Sequence, residues 1–262
     1  MKSEGSSVLT KGHEAIFPIV AAAFVCQFTL VETFGAGSPQ LERRGVALTR
    51  VVTAARLPYL VIIPANFQDR TVRWPLIVFL HGGDQSGTDL NLVKANGPPK
   101  YALSNPDFPF VVVAPQLPIG KLWEPAAVIG VIKQVIPRFR IDAGQVYLTG
   151  LSTGGYGTWK TALQYPERFA AVAPVAGGGS TEILKHADGV QLQALRSLPV
   201  WAFHGGSDGL IAPNESQRMV SEFQSIGNPA VRITVFPGAP HDIWSQVYDD
   251  PAFYDWLLQH RR

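Results

Sequence analysis

The sequence has one cysteine, Cys26, in 262 residues. A lone thiol closes no intramolecular disulfide and rules out a Cys-rich zinc site. Histidines are few, at positions 13, 81, 186, 204, 241 and 260, and none sits in an HExxH pattern or a close carboxylate–histidine cluster. No metal site and no cofactor motif is therefore indicated. Charged residues make up only 16% of the chain and the formal net charge is +2, with no basic run. That balance argues against nucleic acid as a partner. Repeats of fixed period and low-complexity tracts are absent too.

Long apolar runs are also scarce, with one short exception near the amino terminus. Lys2 and Lys11 precede an apolar run, Ile16 to Val31, and the small residues Gly35, Ala36 and Gly37 follow it. A basic start, a short apolar middle and a small-residue exit is the layout of a secretory leader. The run falls below the roughly 18 residues a membrane span needs, and Pro18 and Gln27 interrupt it. The expectation is a leader over residues 1–37 and one domain over 38–262, with an uncleaved anchor or a buried first element as alternatives. The product would be secreted or periplasmic, with no integral membrane span in the mature chain; a membrane-anchored or cytoplasmic protein is the alternative. Lipid attachment at Cys26 is disfavoured, because Val25 before it is large.

What is abundant is a regular alternation. Continuous apolar runs, bounded by turn residues, occur at Tyr59–Pro64, Pro75–Leu80, Phe110–Pro115, Gln145–Gly150, Phe169–Val175, Pro199–Gly205 and Val231–Phe236. Such runs suit strands buried on both faces. Between them the spacing predicts helices over Glu124–Phe139, Tyr156–Tyr165, Ile183–Leu195, Asn214–Ser225 and Pro251–His260. A further helix is expected within Thr88–Leu103, broken by Asn96–Pro99. The fold class is thus α/β: a mostly parallel central sheet with helices on both faces. In such sheets chemistry gathers on the loops after the carboxyl ends of the strands.

Gly150-Leu151-Ser152-Thr153-Gly154 is a G-x-S-x-G directly after a strand and before a helix. Glycine two residues to either side removes collisions in a sharp strand-to-helix turn, and the serine stands at a helix amino terminus. A serine hydroxyl needs a base to act as a nucleophile. Asp208 follows the strand ending at Gly205, and His241 follows the strand ending at Phe236, in the order acid then histidine. Asp242 and Asp188 are rivals for the acid, although Asp242 adjoins His241 and is badly placed to reach its ring. His204 is expected to pack at its strand end. Oxyanion donors are expected from the N–H of Thr153 and from His81-Gly82-Gly83, with Gly83 first and Asp84 next. Trp123 and Trp244 are candidates for an aromatic wall, and Gln116, at a strand end, for a substrate contact.

Taken together, "WPLIVFLHGG", "VVAPQ", "VYLTGLSTGGYGTW", "YPERFAAVAPVAGGG", "PVWAFHGGSD" and "HDIW" resemble the polyhydroxybutyrate-depolymerase-like and feruloyl-esterase-like group of α/β-hydrolases, which includes proteins labelled prolyl-oligopeptidase-family peptidases. The likeness runs from about Leu60 to Leu258. It implies an α/β-hydrolase fold with Ser152, Asp208 and His241 as nucleophile, acid and base, and no cofactor. It departs from the group's pattern at "GDQSG" after the His-Gly pair, at Pro240 and at Thr153, which bears on substrate rather than on chemistry. The short segment Ala176–Leu198 leaves no room for a large lid. The expected substrate is a small or polymer-borne carboxylic ester, such as an acyl or feruloyl ester of polysaccharide. A serine peptidase on the same triad, or a non-catalytic binding protein on this fold, is the alternative.

Overall fold

A computed structural model describes the backbone of residues 41–44 and 46–51, and residues 57–69 and 71–262 in full. The expected leader over residues 1–37, with Cys26, lies outside the described residues. Among the described residues nine strands form one sheet, β1 (Leu41–Arg44), β2 (Val46–Val51), β3 (Tyr59–Ile63), β4 (Trp74–Leu80), β5 (Val111–Pro115), β6 (Ile141–Leu151), β7 (Ala171–Val175), β8 (Val200–Gly205) and β9 (Val231–Phe236). Their order is β1-β2-β3-β5-β4-β6-β7-β8-β9. The first three strands run antiparallel to their neighbours; β4, β5 and β6 through β9 are parallel.

The two faces of the sheet are read directly from the period-two alternation. In β4, Leu76, Val78 and Leu80 join one buried cluster, while Ile77 and Phe79 join the other. The first cluster is covered by α2 (Pro125–Arg138), α3 (Thr153–Gln164) and α6 (Asn214–Ser225), through residues such as Val135, Trp159 and Phe223. The second is covered by α1 (Gly97–Ser104), α7 (Trp244–Tyr248) and α8 (Pro251–Leu258), through Ala102, Tyr248 and Leu257. A fully buried valine, leucine or phenylalanine among them contributes roughly 1.5–3 kcal/mol. The layers therefore hold the strand ends, and the loops after them, in fixed places. No helix among the described residues is long and apolar enough to cross a membrane.

Three expectations are corrected. Asn96–Pro99 begins α1 instead of breaking a helix: Gly97 takes φ +69° and Pro98 and Pro99 fill the first turn, where a missing N–H costs nothing. The helix expected over Ile183–Leu195 is two, α4 (Glu182–His186) and α5 (Gly189–Ser197). Asp188 separates them by capping the second, its Oδ1 accepting from Gln191 N–H at 2.7 Å. Third, β1 and β2 were not foreseen: β1 (LERR) is charged, and Thr49 and Arg50 interrupt the apolar residues of β2 (VALTRV), so neither shows a continuous apolar run.

Candidate active site

Ser152 is held between the end of β6 and the start of α3 with φ +54° and ψ −118°. A non-glycine residue in that region stores about 1–3 kcal/mol of strain. The surroundings enforce it: Ser152 N–H donates to Val175 O at 2.9 Å, and its carbonyl accepts from Tyr156 N–H at 3.1 Å. The flanking glycines are required by close approach. A Cβ on Gly150 would lie 2.5 Å from Gly154 O, and one on Gly154 would lie 1.9 Å from Leu80 O.

His241, on the loop after β9, and Asp208, on the loop after β8, meet the serine in space. His241 Nε2 lies 2.9 Å from Ser152 Oγ and Nδ1 lies 2.7 Å from Asp208 Oδ2. A carboxylate only accepts, so Nδ1 carries the proton and Nε2 is left to accept from the hydroxyl. The Asp208 side chain is fully buried, and that of His241 is 14% exposed. Burial pushes the Asp208 carboxyl up, but hydrogen bonds from His241 and from the Ile211 and Leu210 N–H groups outweigh it. The group is held below its ordinary value and is a carboxylate at neutral pH. Neither rival acid is its equal: Asp188 caps α5, and Asp242 is exposed.

His204 does more than fill space. Its Nε2 lies 3.0 Å from Ile211 O and 3.2 Å from Asp208 Oδ2, and its Nδ1 lies 2.7 Å from Ser216 Oγ. It thereby ties the Asp208 turn to α6.

The loop after β4 lies against the serine. A Cβ on Gly82 would be 3.6 Å from Ser152 Cβ, and one on Gly83 would be 4.0 Å from Thr153 Cγ2. Residues Gly83–Gln85 form a 3₁₀ turn there. No hydrogen bond among the described residues occupies the N–H of Gly83, Asp84 or Thr153. Buried His81 braces this loop: its Nδ1–H donates to Gly82 O at 2.6 Å and its Nε2 accepts from Leu117 N–H at 3.0 Å. Burial is the main cause of a pKa below the ordinary histidine value, which keeps the ring neutral, as those two partners require.

The three candidate substrate residues fare differently. Gln116 does not face the cleft. It is wholly buried, and its amide donates to Gln85 O at 2.9 Å and Asp89 O at 2.7 Å, pinning the same loop from behind. Trp123 lines the cleft but is 3% exposed, with its indole N–H on His81 O at 3.2 Å and its ring edge-on to the imidazole. Its first task is to support the loop. Trp244 is half-buried and meets the His241 ring edge-on at 5.2 Å between centroids. Tyr156, Leu122 and Lys160, which also line the cleft, were not singled out from the sequence. Tyr156 stands four residues after Ser152, one helical turn on, and that spacing was the available signal.

Comparison with known proteins narrows the reading. The Esterase PHB depolymerase family model matches residues 120–203. The chain is 28% identical over 227 residues to poly(3-hydroxyalkanoate) depolymerase C of Paucimonas lemoignei, covering 70% of this chain and 53% of that one. It is 28% identical over 165 residues to the bifunctional acetylxylan esterase/xylanase XynS20E of Neocallimastix patriciarum, covering 58% and 21%. It thus spans about half of the first relative and about a fifth of the second. The crystal structure of a thermostable esterase superimposes with a TM-score of 0.65 at 28% identity, over 83% of this chain and 64% of that one. The chain has the α/β-hydrolase fold. On this fold Ser152 at the strand-to-helix turn, Asp208 after β8 and His241 after β9 all stand at the carboxyl edge of the sheet. Among the described residues no cluster of His, Cys, Asp and Glu could hold a metal ion.

Proposed function

We propose that this chain is a serine carboxylic-ester hydrolase working through an acyl-enzyme. The observation that carries the reading is the single imidazole within hydrogen-bond reach of both the strained Ser152 hydroxyl and the buried Asp208 carboxylate. Ser152 Oγ attacks the ester carbonyl carbon while His241 Nε2 takes its proton. Asp208 holds the ring's tautomer and stabilises the imidazolium. The carbonyl π electrons move to oxygen, and the oxyanion sits on the N–H of Thr153 and of Gly83 or Asp84. Each such donor is worth about 2.7–4 kcal/mol in the transition state. Collapse breaks the C–O bond to the alcohol, which receives the proton from His241. Water, deprotonated by the same ring, then adds to the acyl-enzyme and releases the acid and Ser152.

Between β7 and β8 only α4 and α5 intervene, so no long lid is inserted there. An open cleft suits a soluble ester or the end of a polymer. The chemistry of the relatives' substrates, polyhydroxyalkanoate and acetylated xylan, is of the same ester class. The reading extends to residues 38–262 as one catalytic unit and to residues 1–37 as an export leader.

The purified protein should hydrolyse p-nitrophenyl butyrate and leave the corresponding p-nitroanilide essentially untouched. A preference for the anilide would move the assignment to a peptidase; turnover of neither would point to a binding protein.

A further inference from the structure

Thr153, Tyr156, Gly157 and Lys160 follow one another along α3 at spacings of three, one and three, and so share one face of the helix. That face floors an open groove of about 420 Å³. Leu122, from the loop after β5, forms one wall, and Ile183, from α4, forms the other. The groove begins at Thr153, the residue after the serine, and reaches Gln164 at the far end of α3. Eleven helical steps at 1.5 Å make that about 16 Å. Its walls are predominantly apolar. The one ammonium beside it, Lys160, is occupied by both oxygens of Glu124 at 3.1 Å.

Two details define its surface. Leu122, which lines the groove, is 73% exposed, so a large aliphatic side chain stands open to solvent at its wall. On the floor, buried Gly157 lets the loop press against the helix, since a Cβ there would lie 2.6 Å from Trp123 Cβ.

The direction of the groove decides which half of an ester it can take. In the mechanism above the leaving alcohol must reach His241 Nε2. His241 and its loop line no part of the groove. An acyl half running the other way, from the ester carbonyl carbon at Ser152 Oγ past Thr153, would enter the groove. We infer that the groove is an acyl-chain site, and that the preferred substrates are esters of extended apolar acids rather than acetates. The inference rests on the ester-hydrolase reading.

The test is a series of p-nitrophenyl acetate, butyrate, hexanoate and octanoate. Each added methylene buried in the groove should raise kcat/KM by about two- to fourfold, fourfold being the limit for complete burial. Leu122→Asp, at an exposed loop position, should flatten the series, with octanoate losing at least tenfold more than acetate. Val190→Asp, on α5 and 81% exposed, should leave the series as it is. Acetate as the best substrate, or a series that keeps its slope in Leu122→Asp, overturns the acyl-chain site while leaving the ester-hydrolase reading intact. If no ester in the series is turned over by folded protein and a fluorophosphonate leaves Ser152 unmodified, the ester-hydrolase reading falls and takes the acyl-chain site with it.

Discussion

Ser152→Ala should lower ester turnover by about 10⁴- to 10⁶-fold, measured as initial rate on p-nitrophenyl butyrate. Losses of that order follow when a triad nucleophile is removed, because the remaining groups act as a unit around it. Any residual rate would come from the oxyanion donors and substrate binding alone. Stability should hardly change. Among the described residues the hydroxyl pairs with His241 alone, at 2.9 Å, and alanine keeps the backbone at φ +54° under the same strain. A companion variant separates chemistry from conformation. Ser152→Gly should be equally inactive, yet at least as stable as Ser152→Ala, because glycine adopts a positive φ at little cost. Turnover near the wild-type rate in both variants would mean that another group is the nucleophile. A glycine variant clearly less stable than the alanine one would mean that the turn is not strained.

The second large effect concerns Gly154, which never touches a substrate in this account. Helix propensity alone says that alanine should be better there by about 1 kcal/mol. Contact says the opposite. A Cβ would sit 1.9 Å from Leu80 O and 2.7 Å from His81 O, both backbone atoms at the end of β4. Neither can move without shifting the loop that carries Gly83. Overpacking of this kind costs about 1–3 kcal/mol even where flexible side chains give way. Gly154→Ala should therefore lose at least about 3 kcal/mol in urea unfolding, with activity falling beyond the loss of folded protein. Gly130, inside α2, is the control, since a Cβ there meets nothing within 4 Å. Gly130→Ala should gain up to about 1 kcal/mol. Equal effects at the two positions would show that propensity, not the approach of α3 to β4, governs this turn.

The candidate site was legible in the sequence wherever a rule of topology applied. Ser152, Asp208 and His241 each follow a buried apolar run, and the rule that loops after such strands carry the chemistry brought together residues separated by up to 89 positions. The central strands were legible for the same reason: runs buried on both faces leave a continuous apolar signature. What stayed hidden depends on partners that no local pattern names. Gln116 looked like a substrate contact because a polar residue at a strand end often is one. Its amide in fact satisfies the carbonyls of Gln85 and Asp89, about 30 residues earlier. Trp123 was picked out as an aromatic wall, but its hydrogen bond to His81 O comes from a loop 42 residues away. His204 was read as turn packing, and its reach to Asp208 Oδ2 needs the i to i+4 geometry of one folded turn. The Asn96–Pro99 stretch has two opposite uses, breaking a helix or starting one. Only the positive φ at Gly97 decides between them.

The central claim is that Ser152 becomes covalently bound during turnover. Mass spectrometry after exposure to a fluorophosphonate tests it most directly. The folded protein should gain one adduct, on the peptide containing Ser152, at a rate that collapses in His241→Ala. Modification elsewhere, or labelling of Ser152 at an undiminished rate without the imidazole, would contradict the account.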